Sequence, residues 1–468
     1  MLNKTIRSSG SASFSNKIDR FMANPAYILL IMALTAFSNI CGAERIVYTV
    51  FVLTAAYICF FGKDLLPIMP MMICCYFAPS VNNNPGKNTA SVFSAEGGGL
   101  YFAVLAGIIA ISFLCRVIRD RKVFFGKKYA LLGGMLILTA AYLLGGIGSN
   151  GYLEHALQSI LFALLNSAAI TVPYLLFSGG VKWDEARRDY LAWVGFGAGC
   201  MLLCQIIWIY LTGNVIVDGV INRNTIYTGW GMYNNIGAML AAMIPFPFYL
   251  ATKYRKGWIG ALAGSLFVVG VVLTCSRASI LCGGAIWFMS VILMLYFASN
   301  RRASTVTIVM FGGGILILVL FFGEPLLNLF SSLLDRGLDP SNRDTIYKDG
   351  FTLFSKYPIF GGSFFSTEYA PWGWSTNKDF TSFFPPRWHN TYVQLLASCG
   401  VVGFAAYWLH RWQTIKLFIY SRKPEKIFAA CSIIVLLTTS LFDCHFFNIG
   451  PVLFYSMALA FAENCSET

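Results

Sequence analysis

Apolar residues in this chain come in long runs with no strand-like alternation, and short polar or basic stretches punctuate the runs from end to end. A helix rises about 1.5 Å per residue, so runs of roughly 17 to 23 residues cross a hydrocarbon core about 30 Å thick. The pattern predicts fourteen helical spans. Seven lie in the first half, at 26–41, 46–61, 65–77, 99–118, 129–147, 156–177 and 190–212, and seven in the second, at 233–251, 258–274, 278–299, 304–322, 389–410, 427–442 and 450–463. The third is short and interrupted by Pro67 and Pro70, and reads either as a span or as a re-entrant segment.

Composition agrees with that pattern. Of 468 residues, 57% are hydrophobic and 12% charged, with a mean hydropathy of +0.64, which excludes a soluble globular domain. With the N-terminus inside, the layout places 24 of the 34 Lys and Arg on the cytoplasmic side, most densely in "RVIRDRKVFFGKK" and "RWQTIKLFIYSRKPEK". The expected fold is an all-α integral membrane protein of about 12–14 spans with both termini cytoplasmic, and 1–468 forms a single polytopic domain without internal repeats. Loop lysines facing an anionic leaflet account for the +13 net charge, so the lipid bilayer is a partner and nucleic acid is not. A polar, Ser-rich stretch precedes the first span without a recognisable cleavage site, which makes that span an anchor. The thirteen cysteines fall mostly within spans and lack paired ligand spacing, as befits small buried side chains with no metal site.

One segment breaks the rhythm of short connections. Residues 323–388 form an extracytoplasmic loop in this topology, long enough to be a candidate for function. Within it "SNRDTIYKDGFTLFSKYP" opens on a capping-box signature, Ser341 then Asp344, and repeats Tyr347, Phe351 and Phe354 at helical spacing until Pro358, predicting a short amphipathic helix. The downstream "SFFSTEYAPWGWSTNKDFTSFFPPRW" is dense in aromatic residues. It reads equally as an interfacial aromatic belt or as a platform on which sugar rings pack.

Every even-numbered span runs inward and presents its N-terminus, with unsatisfied N–H groups and partial positive charge, on the outside. Three of these starts carry unusual side chains. The tenth begins "TCSRASI", where Ser276 can cap the helix and Arg277 is either a snorkelling anchor or an anion ligand. The eighth begins "GMYNNIGAML", where Asn234 or Asn235 can cap, and follows a loop carrying Arg223. The twelfth begins within "PPRWHNTYVQLLASCGVVG", where Asn390, Gln394 and Ser398 share a face beside Arg387 and His389. Singly, each has a bland reading. Together they gather costly polar groups at membrane depth, and Arg223, Arg277 and Arg387 suit bidentate capture of a diphosphate; Arg343 in the loop helix and Asn235 complete the expected substrate-binding set with Asn390 and Gln394.

The second half of the chain, from about Arg223 onward, resembles the O-antigen ligase and polymerase family of polytopic membrane glycosyltransferases. The resemblance rests on "SRASILCGGAIWF", on "YPIFGGSF" as a PxFGxG-like turn, on "HNTYVQLLASCGVVG" as an HNxxxQxLxxxGxxG helix, and on "NNIGAMLAAMIP". It implies a polyprenyl-diphosphate-linked oligosaccharide as donor and an acceptor glycan or lipid on the outer side of the bacterial inner membrane, with no cofactor, nucleotide sugar or metal. It also implies Arg277 on the donor diphosphate and His389 as base or acceptor-positioning group. Two positions depart from the family pattern: Tyr233 stands where proline often opens the asparagine helix, and the second histidine of many ligases is missing, which tilts the reading toward polymerase. A lipid-linked oligosaccharide flippase or other transporter is the alternative, with Pro67, Pro70, Pro245 and Pro247 available to break helices.

Overall fold

The computed structural model describes residues 17–79, 98–184, 187–213, 215–217, 220–254, 256–298, 305, 306, 309, 343–366, 368, 385, 387–419 and 421–465. Sixteen helices are named here: α1 (Pro25–Cys41), α2 (Glu44–Phe61), α3 (Ile68–Phe77), α4 (Gly98–Arg119), α5 (Arg121–Gly126), α6 (Leu132–Leu144), α7 (Asn150–Gly180), α8 (Tyr190–Thr212), α9 (Tyr233–Met243), α10 (Pro245–Lys253), α11 (Gly257–Leu273), α12 (Arg277–Phe297), α13 (Arg343–Lys356), α14 (Thr391–Ile419), α15 (Pro424–Thr439) and α16 (Ile449–Asn464). The described strands are four two-residue pieces paired as two antiparallel hairpins, Ile216–Val217 with Val220–Ile221 and Tyr227–Thr228 with Gly231–Met232. Among the described residues, seven helical stretches are long and apolar enough to cross a bilayer. The protein is an all-α integral membrane protein, and helices dominate because a backbone in lipid must satisfy its own hydrogen bonds.

Most predicted spans match helices to within a few residues. The span at 304–322 lies almost wholly outside the described residues, as does most of the aromatic loop segment. Helix α3 has ten residues, about 15 Å of rise, half a hydrocarbon core, so its length fits the re-entrant alternative. The predicted span 233–251 divides into α9 and α10 where Pro245 interrupts the ladder, and residues 235–250 are all buried, which puts this pair at the centre of the bundle. By contrast α4 buries four of its 22 residues and α12 five of its 21, and the two turn Leu100, Ile111, Leu281 and Phe288 outward, as lipid-facing helices do.

One end of the bundle gathers basic side chains. There Arg116 donates to the carbonyl of Gly62 (2.6 Å) and pairs with Asp120 (2.6 Å), Lys127 binds the carbonyl of Ser178 (2.7 Å) and the amide of Asn464, and Lys423 reaches the carbonyl of Cys465 (3.3 Å). Arg411, expected in this basic loop set, is instead buried inside the bundle, because α14 runs on through it to Ile419.

Helix α14 also differs from the straight inward span expected at 389–410. At Gly400 the backbone takes φ 61°, ψ −159°, a conformation essentially reserved for glycine. The chain turns back there. Tyr392 lies 5.7 Å from Tyr407 and 6.0 Å from Trp408, ring centroid to centroid, whereas fifteen residues of straight helix would separate the first pair by about 22 Å. A short arm, 391–399, thus folds against a long arm, 401–419. The segment 358–366 plugs the break: Val401 N donates to the Pro358 carbonyl (2.9 Å), Val402 N to that of Ile359 (3.2 Å), and Gly362 N to that of Ala397 (2.7 Å). Here "YPIFGGSF" supplies partners for groups that the interrupted ladder leaves open. At Gly361, φ 72°, a Cβ would enter the backbone of Ser398 and Cys399.

Helix α13 forms where predicted, but its buried side differs. Gly350 and Leu353 are buried and Ile346 and Tyr347 half-buried against Trp388, Val393 and Ala397, while Phe351 is exposed. The helix packs on the short arm of α14, and the closeness of Gly350 to Val393 sets the seam along Ile346, Gly350 and Leu353. Phe364 and Phe365 of the aromatic stretch are core residues, with Phe364 against Tyr142, Phe162 and Phe447.

Gly400→Ala should lower stability by about 2 kcal/mol or more, since it adds left-handed strain to a clash with the Ile359 carbonyl. Gly284→Ala, where a Cβ meets open space within α12, should be neutral or slightly stabilising. Thermal unfolding of the two variants in detergent compares them directly, and equal midpoints would remove the hairpin turn from the account.

Candidate functional site

Three non-glycine residues among those described have positive φ, and each falls in a segment singled out by the sequence: Cys275 (55°) before "SRASI", Ser363 (82°) in "YPIFGGSF", and His389 (49°) in "PPRWHN". Such conformations cost roughly 1 to 3 kcal/mol and collect at functional sites when the surroundings enforce them. At His389 the enforcement is visible. Its carbonyl accepts from the Tyr347 hydroxyl (3.2 Å), and the next residue, Asn390, caps α14 by accepting from Tyr392 N (2.8 Å) and Val393 N (3.2 Å).

The start of α14 is stitched to the chain that follows α15. Thr391 N donates to the Ser440 carbonyl (2.9 Å), Asn390 Nδ2 to that of Leu441 (2.8 Å) and Thr391 Oγ1 to that of Asp443 (3.2 Å). This places the Asp443 carboxylate opposite the imidazole, with Oδ1 3.6 Å from His389 Nδ1. The Nδ1 edge is buried and the side chain as a whole is 42% exposed, so the open part of the ring is the Nε2 edge. Asp443 is held from its other sides as well: Oδ1 accepts from Cys444 N (2.7 Å) and Oδ2 from Asn234 Nδ2 (3.1 Å). Burial pushes its pKa up, but His389, His445 and Arg387 outweigh that and keep the carboxyl well below its usual range. It is therefore a carboxylate at any physiological pH. His445, fully buried two residues on, is pushed down by burial and by Arg387 against the pull of Asp443, which favours its neutral form. A carboxylate facing Nδ1 orients the His389 ring and favours the tautomer that leaves Nε2 free to accept a proton.

The arginines expected at helix starts lie at this same end. Arg387 is close enough to Asp443, Cys444, His445 and Tyr76 to act on their charges. Arg223, in a 3-10 turn at Arg223–Thr225, stacks on Tyr233, the first residue of α9, with Cζ 5.0 Å from the ring centroid. Arg343 opens α13 within electrostatic reach of Tyr347, the residue that holds the His389 carbonyl. Arg277 opens α12, whose Ser279 abuts Gly237 of α9, one turn from the Asn234 that binds Asp443.

Other expected roles change. Ser276 makes no capping bond; its hydroxyl pairs with that of Ser279 (2.9 Å). Neither Asn234 nor Asn235 caps α9, which starts after Met232: Asn234 reaches Asp443, and Asn235 accepts from Asn448 Nδ2 (2.8 Å). Gln394 is buried, its oxygen taken by Trp388 N (3.1 Å) and its amide given to Ser398 (3.0 Å). Asn235, Asn390 and Gln394 thus spend hydrogen-bonding groups on the fold. Asp443, His445 and Asn448 were missed. The available signal was "DCHFFN", three polar side chains within six residues between two apolar spans, on the side the charge pattern assigns to His389.

No curated protein sequence matches the chain. A family model described as O-antigen ligase matches residues 250–408, about a third of the chain. The matched segment contains Arg277, Arg343, Arg387, His389 and the Gly400 turn, and stops short of the carboxylate at Asp443. Over that segment the chain is similar to O-antigen ligases.

Proposed function

We propose that this protein transfers an oligosaccharide from a polyprenyl diphosphate to the hydroxyl of an acceptor glycan or lipid, on the extracytoplasmic side of the bacterial inner membrane. The observation that carries the reading is the His389–Asp443 pair set among Arg223, Arg277, Arg343 and Arg387 at one end of the bundle. The opposite end holds the lysines and arginines of the basic loops, and that charge asymmetry supports an outward-facing site.

Chemically, His389 Nε2 takes the proton of the acceptor hydroxyl as its oxygen forms a bond to the anomeric carbon. The bond from that carbon to the diphosphate oxygen breaks, and its electron pair leaves with the lipid diphosphate. Arginines that offer planar, charge-assisted hydrogen bonds stabilise the leaving group, and Asp443 stabilises the transient imidazolium. Asn234, Asn235, Asn390 and Gln394 act by positioning, since their polar groups hold the elements that carry His389 and Asp443. Extension of a growing chain is favoured over ligation to a different acceptor because the His389 motif at the start of α14 lacks the second histidine of many ligases.

His389→Ala and Asp443→Asn should each reduce surface-glycan transfer by about 10² to 10⁴-fold, the range expected of a positioned base, in protein that still folds and inserts. In cells carrying either variant, lipid-linked oligosaccharide should accumulate on the outer leaflet; accumulation on the inner leaflet would identify a flippase. Arg277→Ala should weaken binding of undecaprenyl diphosphate to the purified protein by roughly 10 to 100-fold, as for a lost charge-assisted hydrogen bond. An unchanged affinity would take Arg277 out of the donor site.

A further inference from the structure

Arg411 sits in the long arm of α14, 3% exposed, with its Cζ 3.8 Å from the ring centroid of Phe446, 4.4 Å from Tyr407 and 4.5 Å from Tyr455. Its Nε and Nη1 atoms have no hydrogen-bond partner and no carboxylate pairs with it among the described residues. The cage around it is built with care: Tyr455 is fixed through its hydroxyl by Thr414 (2.9 Å) and His410 (3.2 Å), and Phe446 meets Tyr455 and Tyr407 edge-on. A guanidinium without a counter-ion in the interior is unfavourable for stability, and a well-packed apolar side chain of similar size is commonly as good or better there. Packing therefore does not explain the charge.

The geometry explains it differently. Phe446 belongs to the short turn His445–Phe447, which follows Asp443 in the link between α15 and α16. Its neighbour Phe447 is held by Tyr142, Phe162 and Phe364, so the turn hangs on two aromatic side chains, one of which rests on the cation. We infer that Arg411 is a positioning residue for glycosyl transfer: its cation–π contact with Phe446 locks the Asp443 turn so that the carboxylate faces His389, at the expense of fold stability. The inference rests on the proposed roles of His389 and Asp443.

Arg411→Met, Arg411→Lys and His389→Ala test it in the full-length protein, with three readouts: the unfolding midpoint, affinity for undecaprenyl diphosphate, and surface-glycan transfer in cells lacking the native copy. For Arg411→Met the midpoint should stay or rise and the affinity should change less than twofold, while transfer falls at least tenfold. Arg411→Lys, which keeps the charge and loses the planar group that stacks on the rings, should keep the same affinity and also lose transfer. Wild-type transfer in Arg411→Met overturns the inference. So does a parallel fall in midpoint, affinity and transfer, which would mark an ordinary structural residue. Wild-type transfer in His389→Ala would instead overturn the proposed function, so the two failures are distinguishable. If Arg411→Met does not fold, Phe446→Leu, which removes the ring and leaves the cation, must reproduce the loss of transfer at unchanged affinity for the inference to stand.

Discussion

The backbone turn at Gly400 sets where every group at the site can be. Because the chain reverses there, the short arm of α14 ends at His389 beside the turn that follows α15, while the long arm passes beneath that same turn and supplies Arg411. A straight helix would have carried residues 391 and 411 about 30 Å apart. The reversal opens backbone groups that lipid cannot satisfy, and 358–366 closes them. One loop segment thereby serves as structural plug and as the link from α13 to the site.

Charge is distributed unevenly around the imidazole. Asp443 is the one acidic side chain shown facing His389 among the described residues, and arginines from four separate segments lie toward the same end. Such an arrangement has an excess of positive charge, which suits it to an anion. The carboxylate is kept ionised by its neighbours in spite of burial, which lets a single negative group orient the ring without neutralising the surrounding cations.

Most positions of the histidine motif serve the fold. Asn390 caps the helix, Gln394 ties Trp388 to Ser398, Gly400 turns the chain, and Gly403 leaves room for the Cys399 side chain. His389 alone keeps an open edge. The spacing of the motif is therefore the spacing of a short helical arm and its reversal.

Long apolar runs on their own determined that this chain is a helical membrane protein, because hydrocarbon admits few other backbones, and they located most helix ends to within a few residues. Local chemistry also exposed the helix in the long loop and the polar helix starts. Tertiary structure alone decided which of those starts meet. The Asp443 partner comes from 54 residues beyond His389, past a reversal that hydropathy cannot register because both arms are equally apolar. Arg411 shows the same limit from the other side: a basic residue at the end of an apolar run reads as a cytoplasmic flank, and only the placement of three aromatic rings around it, contributed by three segments, makes it an interior charge.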